Sequence, residues 1–581
     1  MQNPTMFYDF RPLIPLSLDR VLSGKSINSS LPIFRLPIEL VSHIVPYLSP
    51  LDIRRLAFVD RDSRQLARAL QFAHVELDYS SRSLELLATL RNEVDEPHDK
   101  EHRLGICIRR LTVRNTWSDF SSKESLELDD FRRLSIREQY IEAETLTKAA
   151  YLDNICSLLP HLPNLHILDW KDEEPLKPDM LGSIMSSSIR HLRLDGPLLD
   201  PSFTLTPPAG QNDWPIESLS INVGWLLTSS GPGDVTSFIS SLMRLTAPTL
   251  RYLTWSGYAG QILWETPSCV DFRFPVLQEV TLDHPMLKEP TMLNTIIRKD
   301  THIRSISVNS NPVVSQFLSC CGYIPSLDRL RWDQSHLESY DDLLEFVHNN
   351  TQLASLEVTS PLPSIIIKSI IINHGHQTFD NLTVLHLVLE GHNFSEDILT
   401  TISSITSLQR LWLSTGTQHG VRHDWTIDHE ILAEALRPLS RLETLVLTRD
   451  TYAVDGHPLL DSSTERYYVN RALPRDLLLS DYLTKDELKK MDCPVIPIDE
   501  AIFLMSSLRC LAWERWHRSQ MVAVAARYAE TLTRLKWCFV GQLPIRVDDI
   551  KPRRAVRPMT EERDYLLRVL HVCWNADFRF Y

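Results

Sequence analysis

"LTVLHLVLEGHNFSEDILTTISSITSLQRLWLS", residues 382–414, holds one complete period of this chain. It opens with apolar Leu382, Leu385 and Leu387 in the pattern Φ-x-x-Φ-x-Φ, where Φ is apolar. The pattern returns 26 residues later at Leu408, Leu411 and Leu413. Alternation in the second half of each phrase is that of a strand with one buried face. Between the phrases, Ser395 is placed to cap a helix, Glu396 and Asp397 put negative charge in its first turn, and Ile398, Ile402 and Ile405 fall on one side. One strand and one helix bury too little to stand alone, so such units have to stack.

The phrase recurs along most of the chain, as "LHILDW", "IRHLRL", "IESLSI", "LRYLTW", "LQEVTL", "IRSISV", "LDRLRW", "LASLEV", "LETLVL", "LRCLAW" and "LTRLKW", with "FAHVEL" and "IRRLTV" earlier. In a chain that is 43% apolar, about one window in a dozen matches by chance, so the spacing carries the information. Starts at 189, 216, 250, 277, 303, 327, 353, 382, 408 and 442 are 24 to 34 residues apart, most of them near 26. The intervening segments read as helices: "DHEILAEALRPL" has Asp428 as cap with Ile431, Ala435 and Leu439 on one face, and "SYDDLLEFV" sets Ser339 and Asp342 at capping-box spacing. In period and phrase the array is similar to the leucine-rich repeat family. That resemblance implies parallel strands on a concave face and helices on the convex one. The Asn that many such repeats carry after the strand is seldom in place, Asn222 and Asn309 being the near cases. An irregular helical solenoid is the alternative, and it leaves the Val-, Ile- and Trp-bearing phrases unexplained.

Ahead of the array lies "LPIELVSHIVPYLSPLDIRRLAFVDRDSRQLA", residues 36–67. Apolar Leu40, Val41, Ile44, Val45 and Leu48 follow helical spacing after Pro37, and Pro46 tightens the end of that run. "SPLD" then restarts the chain, with Ser49 as cap, Pro50 in the first turn and Asp52 beside them; Asp60 is placed to cap a third helix. Leu36, Pro37, Glu39, Leu40, Ile44, Leu48, Asp52, Leu56 and Val59 follow an order that resembles the F-box. That family's three-helix motif binds a Skp-type adaptor and through it a cullin-based ubiquitin ligase. The resemblance makes Leu36, Pro37, Leu40, Ile44, Leu48, Asp52, Leu56 and Val59 the adaptor-binding residues. The chain departs from the family after Val59, where Asp60-Arg61-Asp62-Ser63-Arg64 replaces a small residue and an aromatic.

Composition narrows the function. With 581 residues and a net charge of −14, and without a basic stripe, the chain is not expected to bind nucleic acid or an acidic membrane. Nine scattered Cys without a C-x-x-C pair suit a reduced cytoplasmic or nuclear protein. Neither a secretory signal nor a membrane span is expected, since the best apolar run, "PSIIIKSIII", is interrupted by Lys368. The motifs of phosphate loops, zinc proteases and nucleophile elbows are missing. His98 with His102 and His374 with His376 lack a third metal ligand nearby. No cofactor and no metal are expected, and the chain reads as a binding protein rather than an enzyme.

The expected architecture is therefore α/β: a segment 1–30, an F-box over 31–80, a leucine-rich-repeat solenoid over 81–545 with insertions near 114–160 and 450–505, and a C-terminal tail or cap over 546–581. Residues between the apolar positions of each phrase should face the concave side. The substrate-binding candidates there are Tyr252, Arg329, Arg331, Asp333, Glu357, His386, Arg410 and Trp412, with Thr254, Glu279 and Asp283 beside them. Trp412 should be exposed, whereas Trp170, Trp255, Trp332, Trp513 and Trp537 hold core positions. Three Arg near one Trp suit an acidic or phosphorylated segment of a protein substrate. Two other functions fit the same residues: a repeat scaffold whose F-box joins no ligase, and a small-ligand receptor or enzyme with a concave pocket.

Overall fold

A computed structural model of the chain describes residues 29–37, 40–41, 44, 47–95, 103–114, 148–199, 204–207, 213–225, 236–257, 273–283, 287, 290–298, 301–309, 312–333, 340–373, 376–391, 394–415, 425–448, 450–451, 477–491, 498–541, 543–550 and 553–559. The chain divides into two compact units, Arg11–Ile303 and Arg304–Tyr581. Each is taken by itself.

Among the described residues of the first unit, seven strands follow one another: β1 His74–Leu77, β2 Arg110–Arg114, β3 Ile167–Lys171, β4 His191–Leu199, β5 Ser218–Trp225, β6 Tyr252–Ser256 and β7 Glu279–Asp283. Each pairs in parallel with the next. The register aligns the phrases residue for residue, so Val113, Trp170, Leu194, Ile221, Trp255 and Leu282 form one column of the core, all of them buried. Helices such as Pro178–Met185 and Thr236–Thr246 return the chain between strands and bury Ile184 and Phe238 completely. This is a leucine-rich-repeat arrangement, and the purely helical alternative is set aside by its strands.

Short helices precede β1. Helix Pro50–Leu56 starts with the expected capping box, Ser49 and Asp52 each serving the other's backbone N–H, and Pro50 takes its first turn. Asp60 caps helix Arg61–Gln71 through Ser63 N at 2.7 Å. Leu66 and Ala67 of that helix are buried.

The second unit continues the pattern with β8 Ser305–Asn309, β9 Arg329–Asp333, β10 Ser355–Leu362, β13 Val384–Leu389, β14 Arg410–Thr415, β16 Thr444–Thr448 and β18 Trp537–Val540, again in parallel. Two short pairs stand apart from them, β11 Ile372–Asn373 with β12 His376–Gln377 and β15 Trp425–Thr426 with β17 Asp450–Thr451. The array ends by turning back: β19 Leu543–Ile550 and β20 Arg553–Pro558 are antiparallel. Strand β20 thus falls in the stretch 546–581, expected to be a tail or cap. The remainder of that stretch, 560–581, lies outside the described residues, as does the insertion core 115–147.

Several expectations change. "LRCLAW" at 508 is not a strand but part of the long helix Ile498–Thr531, because Leu508 and Ala512 pack one turn apart against Leu483. The described part of the second insertion is built onto that helix: Arg515 donates from both terminal nitrogens to Glu487, at 2.7 and 2.9 Å, and from Nη1 to Tyr482 O at 2.9 Å. "LTRLKW" is read one phase too early; Cys538 pairs with Leu445, so the working phrase is "LKWCFV" from Leu535, and Trp537 moves out of the core onto the strand face. In helix His429–Leu436, Asp428 caps as predicted, but the inward face is Leu432, Ala433 and Leu436, leaving Ile431 48% exposed. Ser395 occupies its N-cap without a side-chain bond, and Ile398, Ile402 and Ile405 are fully buried as expected.

Gly541 closes the turn between β18 and β19 with φ +54°, a conformation that disfavours a side chain. A Cβ there would meet Met521 Sδ at 2.2 Å and His517 Cε1 at 3.0 Å. Gly541→Ala is expected to cost about 2 kcal/mol, since Met521 yields only in part. A urea midpoint indistinguishable from that of the parent protein would refute this.

Candidate binding surface

Side chains between the core positions of each strand form rows on the face turned away from the helices. In the first unit the middle row is Glu76, Thr112, Asp169, Arg193, Ser220, Thr254 and Thr281, each the cross-strand neighbour of the next. Its charges are matched internally. Arg110 holds buried Asp169 through Nε at 2.7 Å, with Thr112 donating to the same carboxylate at 3.3 Å. Arg114 pairs with Glu76, and Arg193 with Asp195 at 2.9 Å, which also accepts from Asn222 Nδ2 at 2.8 Å. Desolvation lowers the Lys171 ammonium pKa, helped by Arg193 beside it.

The second unit differs. Its middle row runs Ser307, Arg331, Glu357, His386, Trp412, Val446 and Phe539. From polar at one end it becomes aromatic and apolar at the other. Trp412 is only 5% exposed, which corrects the expectation of an open anchor. His386 stacks flat on it, with ring centres 3.9 Å apart and planes within 2°, and Trp412 Nε1 donates to Thr448 Oγ1 at 2.8 Å. On its other flank Trp412 joins Val446 and Phe539, with Val384, Trp537 and Met559 packed around them.

Glu357 is the unusual member. Directly across from Arg331 on one side and His386 on the other, it forms no ion pair among the described residues, and its Oε2 is sealed from water without a hydrogen-bond partner. Burial pushes its carboxyl up to about 7, against the opposing fields of Arg331 and Arg329.

The register therefore brings Arg331, Glu357, His386 and Trp412 into one row, and places Arg329 and Arg410 in the adjoining row with Ser355 and Val384 between them. Asp333 extends β9 and accepts from Ser360 Oγ at 3.4 Å. Tyr252 belongs to the first unit and is not part of this group. Among the described residues no cluster of His, Cys, Asp or Glu could hold a metal, and no helix is long and apolar enough to cross a membrane.

A second surface lies before β1. Leu40, Ile44, Leu51 and Val59 are exposed, while Tyr47 is 88% and Phe58 85% exposed. Leu36, Leu48 and Leu56 are half-buried among them, and Pro37 and Asp52 are open to solvent. Tyr47, Leu51 and Phe58 add to the predicted set. Glu39 lies outside the described residues.

No protein-family model matches the chain, and no curated protein matches it in sequence. Among solved structures, an internalin from Listeria monocytogenes is 13% identical over 51% of this chain and 77% of its own, with a TM-score of 0.24. A leucine-rich-repeat protein from Leptospira interrogans is 12% identical over 60% of this chain and 87% of its own, with a TM-score of 0.23.

Proposed function

We propose that this chain is the substrate-recognition subunit of an adaptor–cullin–F-box ubiquitin ligase, acting by binding while other chains perform the chemistry. The observation that carries the reading is the apolar surface formed by Leu40, Ile44, Tyr47, Leu51, Phe58 and Val59 in the segment that resembles an F-box. Large side chains so exposed and so close in sequence suit a partner that covers them, and a Skp-type adaptor is the partner implied by the resemblance. The strand faces then present a protein substrate to a conjugating enzyme held elsewhere. The assembly belongs in the cytoplasm or nucleus and needs no cofactor, nucleic acid or membrane.

A second reading is a repeat scaffold that joins no ligase. It is favoured by the start of the third helix, where the departure from the family occurs. Asp60 and Asp62 are engaged within the chain there, accepting from Ser29 Oγ at 2.5 Å and Ser29 N at 2.8 Å. Copurification separates the two. Ile44→Asp places a carboxylate in the middle of the apolar surface and is expected to lower adaptor binding at least a hundredfold, because a buried unpaired charge is strongly unfavourable. Melting should stay within a degree or two of the parent, as Ile44 is exposed. Failure of the parent protein to capture the adaptor would favour the scaffold reading, and normal capture by folded Ile44→Asp protein would overturn the assignment of this surface as the adaptor site.

A further inference from the structure

Helix Pro50–Leu56 buries none of its side chains. Its inward stripe is Ile53, Leu56 and Ala57, each half-buried. On the opposite side, Leu51, Arg54, Arg55 and Phe58 follow the i, i+3, i+4, i+7 spacing of a second stripe, and all four are exposed. Phe58 N donates to Arg55 O at 3.0 Å, so Phe58 continues the last turn of the helix. Leu51 is 54% exposed, and with Phe58 it forms apolar area that the free chain leaves in water and a partner would remove from it.

The charges between these two apolar ends set the sign of that partner. Arg54 makes no ion pair among the described residues. Arg55 meets Asp52 at 3.5 Å, one turn back and open to solvent, a pair worth little. Asp52 is also engaged with Ser49 in the capping box. The other described carboxylates of this segment are occupied within the chain: Asp60 accepts from Ser63 N and Ser29 Oγ, and buried Asp62 accepts from Ser29 N. Arg61 and Arg68 have partners of their own and are not counted. Arg64 donates from Nε to Ala57 O at 3.2 Å and is itself exposed. In a chain whose net charge is −14, the stripe is thus locally cationic as well as apolar.

We propose that the Leu51–Arg54–Arg55–Phe58 stripe docks on an acidic protein, its Leu and Phe entering an apolar groove while partner carboxylates on the rim receive the two arginines. This rests on the reading of the segment as an adaptor surface, and it commits that adaptor to a carboxylate-rimmed groove. Guanidinium forks bind carboxylates bidentately, so such a rim fixes register and speeds encounter, while the apolar ends hold the complex together.

The test uses the full chain and a purified Skp-type adaptor. Parent affinity should fall about tenfold between about 50 and 500 mM salt, mostly through slower association. Arg54→Glu should weaken binding about thirtyfold at the lower salt and lose most of the salt dependence, with melting unchanged because the side chain is exposed. Phe58→Ala should weaken binding at least tenfold at every salt concentration. Arg54→Lys keeps the charge, and a carbodiimide should then couple position 54 to an aspartate or glutamate of the adaptor. Unchanged affinity in Arg54→Glu, or a complex without that cross-link, overturns the proposal and leaves the ligase reading intact. A parent protein that binds no adaptor overturns both. Binding of the parent to vesicles of equimolar phosphatidylserine and phosphatidylcholine, abolished by Arg54→Glu, would make the occupant a lipid surface and overturn the proposal. So would a dimer of the parent that Phe58→Ala dissociates, since the occupant would then be a second copy of this chain.

Discussion

Asn350→Ala is expected to remove about 4 kcal/mol from the second unit, a large share of the stability of an ordinary domain. Asn350 is completely buried just ahead of the phrase "LASLEV". Its Oδ1 accepts from Ile324 N at 2.9 Å, and its Nδ2 donates to Gly322 O at 3.0 Å and to Phe346 O at 2.8 Å. Gly322 is the left-handed residue, φ +68°, that ends helix Pro312–Cys321, so the amide satisfies backbone groups that a helix terminus and a tight turn leave open. Alanine leaves one N–H and two C=O groups without partners, each costing about 1–3 kcal/mol before relaxation. Asn350→Asp keeps the acceptor but loses both donors and buries a charge, so it should be at least as damaging. Gln352, half-buried beside it and donating to Ile324 O at 2.8 Å, should cost only about 1 kcal/mol when changed to Ala. Urea midpoints and hydrogen exchange at the Ile324 amide check the series; fast exchange at that amide with an unmoved midpoint would show the network to be local.

Asn350 also shows where sequence reading reached its limit. The repeat was legible because apolar alternation fixes which face of a strand is buried, and register then propagates it from "LDRLRW" to "LETLVL". The family's asparagine was sought after the strand, at Asn222 and Asn309, whereas the buried amides stand before it: Asn350, and Asn164 donating to Ile106 O at 2.8 Å. "LRCLAW" failed for the opposite reason. Its pattern fits a helix as well as a strand, and only the packing of Leu508 and Ala512 on Leu483 decides between them. "LTRLKW" matched in two phases, and the pairing of Cys538 with Leu445 selects the later one. On the candidate surface, the row Arg331–Glu357–His386–Trp412 was predictable from alternation. The burial of Trp412 was not, because Trp537, Phe539 and Met559, more than a hundred residues later, pack into its cluster.

Acid should weaken the second unit through two histidines. His429 is buried with Nδ1 2.9 Å from the Tyr528 hydroxyl and no partner at Nε2. His517 stacks on Trp513 and donates from Nε2 to Gly541 O at 2.7 Å. Desolvation brings each to about 4; Asp428 opposes the shift at His429, and the Gly541 carbonyl opposes it at His517. With folded values below the ordinary His value of about 6.5, the unfolded chain binds protons that the folded chain refuses between those limits, and stability falls with pH. Each group contributes about 1.4 kcal/mol per pH unit. Glu357 works in the other direction, because a carboxyl raised to about 7 loses stability as pH rises from its ordinary range. Two histidines against one carboxyl leave a net loss of about 1.4 kcal/mol per unit as pH drops from 6.5 to 4.5. His429→Asn with His517→Asn should be less stable than the parent at pH 7.5, yet lose nothing further on acidification from these sites. Urea midpoints of the full chain from pH 4 to 8 provide the comparison. If the parent and the double variant show the same slope, the buried histidines are not what makes this fold acid-sensitive. A Glu357→Gln background should steepen the parent's slope by about half the two-histidine term, since it removes the one opposing group.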